Sequence, residues 1–503
     1  MKPAGDMHPL ARAGRNLVLK TTGEVLARIS FFLLFIYAAR ILGAEEFGIY
    51  SYAATLAALA LVGMDLGLNM LFVRDGAQEP QAVGGYAGTM LVLKLGLAAL
   101  VVLILLVFCV VKGHAEGQIA LILAVTLVQI LWGLSELGVA GLNALERMDQ
   151  EALVKSTGRL AALVFAGGLL FWGAGLWGLV AGLILANLWA AGLSLWFLNN
   201  RAGFSLRLER GFLTYLLKEA LPLALSNIFI LVFVRVDIVM LELMDRSYTE
   251  IGWYAAGVRV IDGAGMVPIL VSGASLPVLA SLAKKDPKAT GKLYSQAQRL
   301  LLILGLPAAV GLWVVRDQVA LGVYGPEFAE TARAFLWLAP VLAFLFINFL
   351  QLNSLTALGK QKLCALATGL CVMVNVGLNL WLIPAHGFMG AAASTLFTEI
   401  VLFSLCAWFV HRSIGASGLA QRAWRPASAA LIMGLCLHWL THWPLAALLL
   451  LGLIIYTVAL LAVGGLTINE LRDLRQMVRR PDALQENNQT GSHEGDPTHK
   501  SGA

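Results

Sequence analysis

Fourteen apolar stretches, each long enough to cross a lipid bilayer as a helix, leave this chain few ways to fold. They fall near 22–42, 47–72, 86–111, 117–142, 152–173, 176–198, 217–241, 250–281, 294–315, 331–357, 361–383, 387–410, 425–441 and 444–465. A helical crossing needs about 20 apolar residues. Hydrophobic residues make up 59% of the chain and charged residues 13%, against about 25% charged in a soluble domain. So much apolar surface has no aqueous fold to hide in, which excludes a single soluble domain and a disordered chain alike. The expected fold class is an all-α polytopic membrane protein with 14 transmembrane helices.

Charge orients the crossings. With a cytoplasmic N-terminus, 26 of the 36 Lys and Arg residues fall in inside segments, 5 in outside segments and 5 within the stretches themselves. Cytoplasmic loops collect Lys and Arg, and a missed or extra crossing would scramble this bias. An even count then places both termini in the cytoplasm. The first 20 residues are polar and basic, with no cleavable signal, and the region from Pro481 to Ala503 is polar and expected to be disordered. The five cysteines lie in apolar stretches without metal-ligand spacing, and no metal site is expected. The eight histidines form no catalytic cluster, and the longest outer loop, Arg316 to Glu330, is too short for an aqueous catalytic region. An enzyme is not expected. Trp172, Trp177, Trp439 and Trp443 read as interfacial anchors.

The chain repeats itself at a spacing of 204–212 residues. Gly48-Ile49-Tyr50 corresponds to Gly252-Trp253-Tyr254, Leu142-Asn143-Ala144-Leu145 to Leu352-Asn353-Ser354-Leu355, and Gly175-Leu176-Trp177-Gly178 to Gly387-Phe388-Met389-Gly390. The matches keep their order and are offset by six helices. They predict two six-helix lobes with pseudo-twofold symmetry, at 1–211 and 212–411, two further helices at 412–466, and a cytoplasmic tail at 467–503. Parallel repeats place a substrate site between the lobes near the midplane.

Five cations lie inside the crossings: Arg28, Lys94, Arg159, Arg235 and Arg259. Each would cost about 2.5–3.5 kcal/mol if it faced lipid at a helix centre, so they must face protein or a wet cavity. Arg235 and Arg259 fall near the midplane on one hairpin. Asp237 lies two residues from Arg235 and so points elsewhere, whereas Asp262, three from Arg259, is placed to pair with it. Arg28 has Glu24 one turn earlier, which leaves a structural ion pair open. Arg159 is near enough to the cytoplasmic end to snorkel. Glu399, near the midplane with no cation on its own helix, is a candidate to carry a coupling ion. Asp237, Asp262, Asp65 and Glu24 join it as acidic candidates, Asp65 lying close to a cytoplasmic end. Asn375 and Asn379 share a helix face and are placed either to bind a sugar or an ion, or to bond between helices. Pro268, Pro277, Pro307 and Pro340 are expected to interrupt helices near the centre.

Several motifs resemble those of a known family: Leu42-Gly43-Ala44-Glu45-Glu46-Phe47-Gly48-Ile49-Tyr50-Ser51, then Asp65-Leu66-Gly67-Leu68-Asn69 with Val73-Arg74. Tyr324-Gly325-Pro326-Glu327-Phe328, Asn375 to Pro384 and Gly387 to Ala392 follow. Over roughly 15–410 the chain resembles the polysaccharide-transporter flippases, which share a superfamily with lipid II flippases and multidrug-and-toxin extruders. The resemblance implies alternating access for a polyprenyl-pyrophosphate-linked oligosaccharide in the bacterial inner membrane, coupled to a proton or sodium ion. Its partners would be membrane lipids and glycan-assembly proteins, with no nucleic acid and no cofactor. Guanidinium groups bind phosphate oxygens bidentately, so the five buried cations are the expected substrate-binding set. A lipid II flippase shares this charge logic. A cationic-drug extruder would meet repulsion in the same cavity.

Overall fold

The structure, a computed structural model, describes residues 9–65, 67–203, 229, 231–283, 286–415 and 418–465, with side chains from residue 30 on save 274, 275, 277, 287 and 288. No strand occurs among the described residues. The helices are α1 (Pro9–Asp65), α2 (Leu68–Gln78), α3 (Val83–Lys112), α4 (Glu116–Ala144), α5 (Met148–Phe171) and α6 (Gly175–Ala202). They continue as α7 (231–243), α8 (Tyr248–Ala264), α9 (Met266–Ala283), α10 (Pro287–Val314) and the short α11 (Arg316–Val319). The last five are α12 (Thr331–Ala357), α13 (Gln361–His386), α14 (Phe388–Ile414), α15 (Leu419–Trp439) and α16 (Leu445–Ala462).

Eleven described stretches are long and apolar enough to cross a membrane, against the fourteen expected. The difference has identifiable sources. The single stretch Ser30–Gln78 spans 49 residues, and α1 within it breaks at Gly43, whose φ of 75° and ψ of 177° leave helical geometry. Gly67, at φ 77°, supplies the left-handed turn into α2. The seventh expected crossing begins in 204–228, outside the described residues, as does the tail at 467–503. The helix α15 carries Arg422, Arg425 and His438, and it is not among the eleven. The protein is a multi-pass membrane protein all the same. Its outward helix faces are apolar, as lipid requires: Val107, Val164, Leu435 and Leu450 are all exposed, and so are the anchors Trp172 and Trp439.

Packing divides the helices. α1 packs on α3, α4, α5 and α6, while α4 and α5 pack on α6. α12 packs on α8, α9, α10, α13 and α14, and α15 packs on α10 and α16. The main junction between these sets is α1 against α8. A Cβ at Gly48 would collide with the Tyr248 carbonyl, and one at Gly252 with the Ala44 carbonyl. Two backbones are therefore in contact where the motif Gly48-Ile49-Tyr50 meets its repeat Gly252-Trp253-Tyr254. Small residues permit such an approach between helices in lipid, where dispersion contacts replace the hydrophobic effect.

The α8–α9 junction lies at Gly265, three residues before Pro268. Pro307 and Pro340 sit inside α10 and α12. Gly252→Leu is expected to destabilise the fold by about 3 kcal/mol or more through overpacking. Gly96→Ala, with open space around the glycine, is expected to stay within about 0.5 kcal/mol. Thermal unfolding of the two purified variants checks both.

Candidate functional site

The arginines of the central helices gather on an aromatic strip of α1. Phe31 and Phe35 are four residues apart, hence on one face, with ring centroids 4.7 Å apart in an edge arrangement. The Arg159 guanidinium of α5 lies 4.9 Å above the Phe31 ring, and that of Arg259 of α8 lies 4.4 Å above Phe35. Tyr50 extends the strip, 5.6 Å from Phe35. A cation over an aromatic face gains about 0.5–1 kcal/mol when exposed and about 2 or more when desolvated. The rings thus hold both guanidinium groups by their faces.

Arg235 of α7 completes the group. It makes an ion pair with Asp262 at 3.0 Å, and the two side chains are 26% and 35% exposed. The pair is thus partly open and not sealed in the core. The sequence spacing places Asp262 to pair with Arg259; in the structure its ion pair runs across the hairpin to Arg235 of α7, and it remains a neighbouring opposite charge to Arg259. Arg259 has Arg235 as a like-charged neighbour and forms no ion pair among the described residues. Among the described residues this group therefore holds more guanidinium groups than carboxylates.

Asp237 occupies a separate, closed cluster. Tyr254 and Thr395 donate to its Oδ2 at 2.7 and 2.9 Å, and Asn379 donates to Oδ1 at 2.6 Å. Asn379 also donates to Asn375 Oδ1 at 3.0 Å. Four helices, α7, α8, α13 and α14, converge here, and Asp237, Tyr254, Asn375 and Asn379 are all buried. A carboxylate removed from water needs such donors to offset its desolvation. Asn375 and Asn379, which the sequence leaves between ion binding and interhelical bonding, are both in contact with this carboxylate network.

The remaining candidates separate. Lys94 is fully buried and donates to Asp65 at 2.6 Å, while Asp65 is 44% exposed. Lys94 therefore ties α3 to the end of α1 and is not part of the arginine group. Glu399 of α14 is buried and accepts from Asn348 Nδ2 of α12 at 2.6 Å. Arg28 and Glu24 lie outside the residues whose side chains are described. Among the described residues no group of His, Cys, Asp and Glu has the arrangement of a metal site.

On the expected outer side, the two helix sets are tied by polar contacts. His114, between α3 and α4, lies 3.3 Å from Glu242 of α7 and 3.3 Å from the Tyr52 hydroxyl. Gln118 donates to the Tyr248 hydroxyl at 3.3 Å, and Lys112 pairs with Asp245 at 3.7 Å. Sequence reasoning missed this set because its members lie on separate helices and short outer loops. It missed Tyr254, Thr395 and Asn348 for the same reason. Phe31 and Phe35, at i and i+4 after Arg28, were a legible signal.

The family model described as polysaccharide biosynthesis protein matches residues 13–283, and the MatE model matches 222–381. A Haloferax volcanii protein named for low-salt glycan biosynthesis flippase activity is 24% identical over 462 residues, covering 89% of this chain and 95% of its own. A Shigella flexneri protein named for O-antigen transport is 24% identical over 397 residues, covering 75% and 92%. Among solved structures, the lipid II flippase MurJ in an inward closed conformation superposes with a TM-score of 0.69 at 15% identity, covering 93% of this chain and 100% of that one.

The Lys94–Asp65 pair is unequally buried, so its two halves are expected to respond unequally. Asp65→Asn strands a buried ammonium and should cost about 3 kcal/mol. Lys94→Met leaves only a half-exposed carboxylate and should cost less. Thermal unfolding of both variants reads the difference.

Proposed function

Since the chain belongs to the polysaccharide biosynthesis protein family, we propose that it is a flippase for a polyprenyl-pyrophosphate-linked oligosaccharide, working by alternating access in the bacterial inner membrane. The observation that carries this reading is the pair Arg159 and Arg259 stacked on Phe31 and Phe35 of α1, with Arg235 of α7 beside Arg259. A pyrophosphate would meet guanidinium edges from both helix sets at once. The glycan would follow in a wet cleft, while the prenyl chain stays in lipid.

The reading takes fourteen crossings with both termini cytoplasmic, in two six-helix lobes plus α15 and α16. Besides the motif repeat, one pair of contacts supports the lobes. The Glu250 carboxylate accepts from Phe388 N at 3.2 Å beside Gly387, and Glu46, 204 residues earlier, lies against Gly175. Gly175 and Gly387 are themselves repeat partners. The lobes would rock about the Gly48–Gly252 contact. In this reading the His114–Glu242, Lys112–Asp245 and Gln118–Tyr248 ties would close the outer side and part to release the glycan. Coupling to a proton or sodium ion falls to the acidic candidates. Around Asp237, the carboxylate and the Tyr254 and Thr395 hydroxyls supply oxygen atoms of the kind hard cations take.

Arg235→Ala and Arg259→Ala are each expected to abolish export of lipid-linked glycan while leaving the amount of protein in the membrane unchanged. Glycan export assayed in a strain lacking the gene checks this, and normal export by both variants overturns the site. A lipid II flippase is the second reading, favoured by the MurJ-like fold across 93% of the chain. Rescue of a strain depleted of its lipid II flippase would select it.

Weakening the outer ties should shift the conformational balance. Glu242→Gln is expected to enlarge the open-outward population, read as a longer distance between spin labels placed on the outer ends of α3 and α8. An unchanged distance distribution counts against the ties as a closure.

A further inference from the structure

Four buried polar atoms without a hydrogen-bond partner among the described residues lie on one stripe of α12. They are Asn348 Oδ1, Gln351 Oε1 and Nε2, and Ser354 Oγ. The three residues are spaced i, i+3 and i+6 and are 3%, 0% and 2% exposed. Buried polar groups almost always find partners, and a buried water making 2–4 hydrogen bonds is the usual one where protein supplies none. The stripe extends about 9 Å along the helix. It starts at Asn348, in contact with Glu399, and ends at Ser354, within one turn of the end of α12.

Other helices line the stripe with more polar groups. The Tyr294 hydroxyl of α10 faces Gln351 without closing a hydrogen bond of normal geometry. Gln298 donates to Tyr294 at 3.4 Å, and Arg422, at the start of α15, donates to Gln298 Oε1 at 2.6 Å. The end of α12 and the starts of α10 and α15 lie on the side that the charge bias assigns to the cytoplasm.

We propose that Glu399 is a proton-binding site, and that the Asn348–Gln351–Ser354 stripe is the hydrated lane through which it exchanges that proton with cytoplasmic water. Glu399 forms no ion pair among the described residues. The titratable groups that face it are uncharged thiols, Cys371 of α13 and Cys406 of its own helix. From α12 it meets the Asn348 amide. From α8, Tyr254 bonds Thr395 one turn away, and from α10, Tyr294 faces Cys406. A proton is the one ion that this environment accepts without further ligands.

Asn348 suits both protonation states. Its Nδ2 donates to the ionised carboxylate, as seen at 2.6 Å. Its Oδ1, at present unpartnered, accepts the O–H of the neutral acid after a small rotation. In the exchange step, a hydronium at the Ser354 end gives one proton to the lane's waters and leaves as water, the waters pass one proton on by successive hydrogen-bonded transfers, and the last transfer, beside Asn348, goes to a Glu399 carboxylate oxygen, which takes Glu399 from charge −1 to 0. The direction of net proton flow rests on the exporter reading; the site and the lane do not.

Infrared difference spectroscopy on the full-length protein in liposomes, between alkaline and acidic buffer in H2O and D2O, tests this without any substrate. The wild type is expected to show a carboxylic-acid carbonyl band that shifts in D2O, is lost in Glu399→Gln and survives in Asp237→Asn. In Gln351→Leu its exchange with D2O should slow by about tenfold or more. Absence of the band from the wild type, its survival in Glu399→Gln, or wild-type exchange in Gln351→Leu would each overturn the proposal. Should Gln351→Leu not accumulate, Ser354→Ala is read in the same way. Lost glycan export with the band and its exchange intact would count against the flippase reading and leave the proton site standing.

Discussion

The rest of the molecule hangs on the backbone contact between α1 and α8. Gly48 and Gly252 have no side chain to hold the helices apart, so the carbonyls of Tyr248 and Ala44 sit where a Cβ would be. This contact joins the two helix sets at their main junction, and it brings α1's aromatic face within reach of Arg259. In lipid, where helices gain nothing by hiding apolar surface from one another, a close crossing of this kind supplies dispersion contacts that bulkier residues would forfeit. The break at Gly43 then lets one long helix serve both sides of the junction.

The charged residues of the interior follow from that geometry and fall into three situations. Lys94 is sealed against Asp65 and acts as a brace between helices. Asp237 is sealed among neutral donors. Arg235 and Asp262 remain partly exposed, and Arg259 rests on a ring with no ion pair among the described residues. Under the proposed function, the last situation is the one that would offer charge to a ligand. Stacking on a phenyl ring holds a guanidinium by its face, whereas an ammonium in a salt bridge is held through its N–H groups.

Much of this was legible in the sequence, and the exceptions share a cause. The apolar stretches are helical over most of their described lengths, although the break at Gly67 falls inside the expected second crossing. Arg235 and Arg259 lie together, as their depths in adjacent helices implied. Asp262 was assigned to Arg259 because helical spacing sees only its own helix, and the carboxylate bonds to α7 instead. The Glu399–Asn348 contact joins residues 51 apart, and Asp237 and Thr395 are 158 apart. No local pattern encodes such pairs. The eleven qualifying stretches, against fourteen expected, show a further limit: α15 carries charge enough to leave the hydropathy signal weak although the helix forms.

What the sequence determined by itself was the solvent and the secondary structure. Apolar stretches of bilayer length allow only helices, because each helix satisfies its own backbone in lipid. Their cations declared themselves costly, and therefore placed for a reason. Tertiary structure alone decided which of those cations are braces and which stack on a ring or stay partly exposed. The energy of a buried charge depends on what stands within a few ångströms of it, and here those neighbours come from other helices: Asp65 for Lys94, Phe35 for Arg259, Asp262 for Arg235.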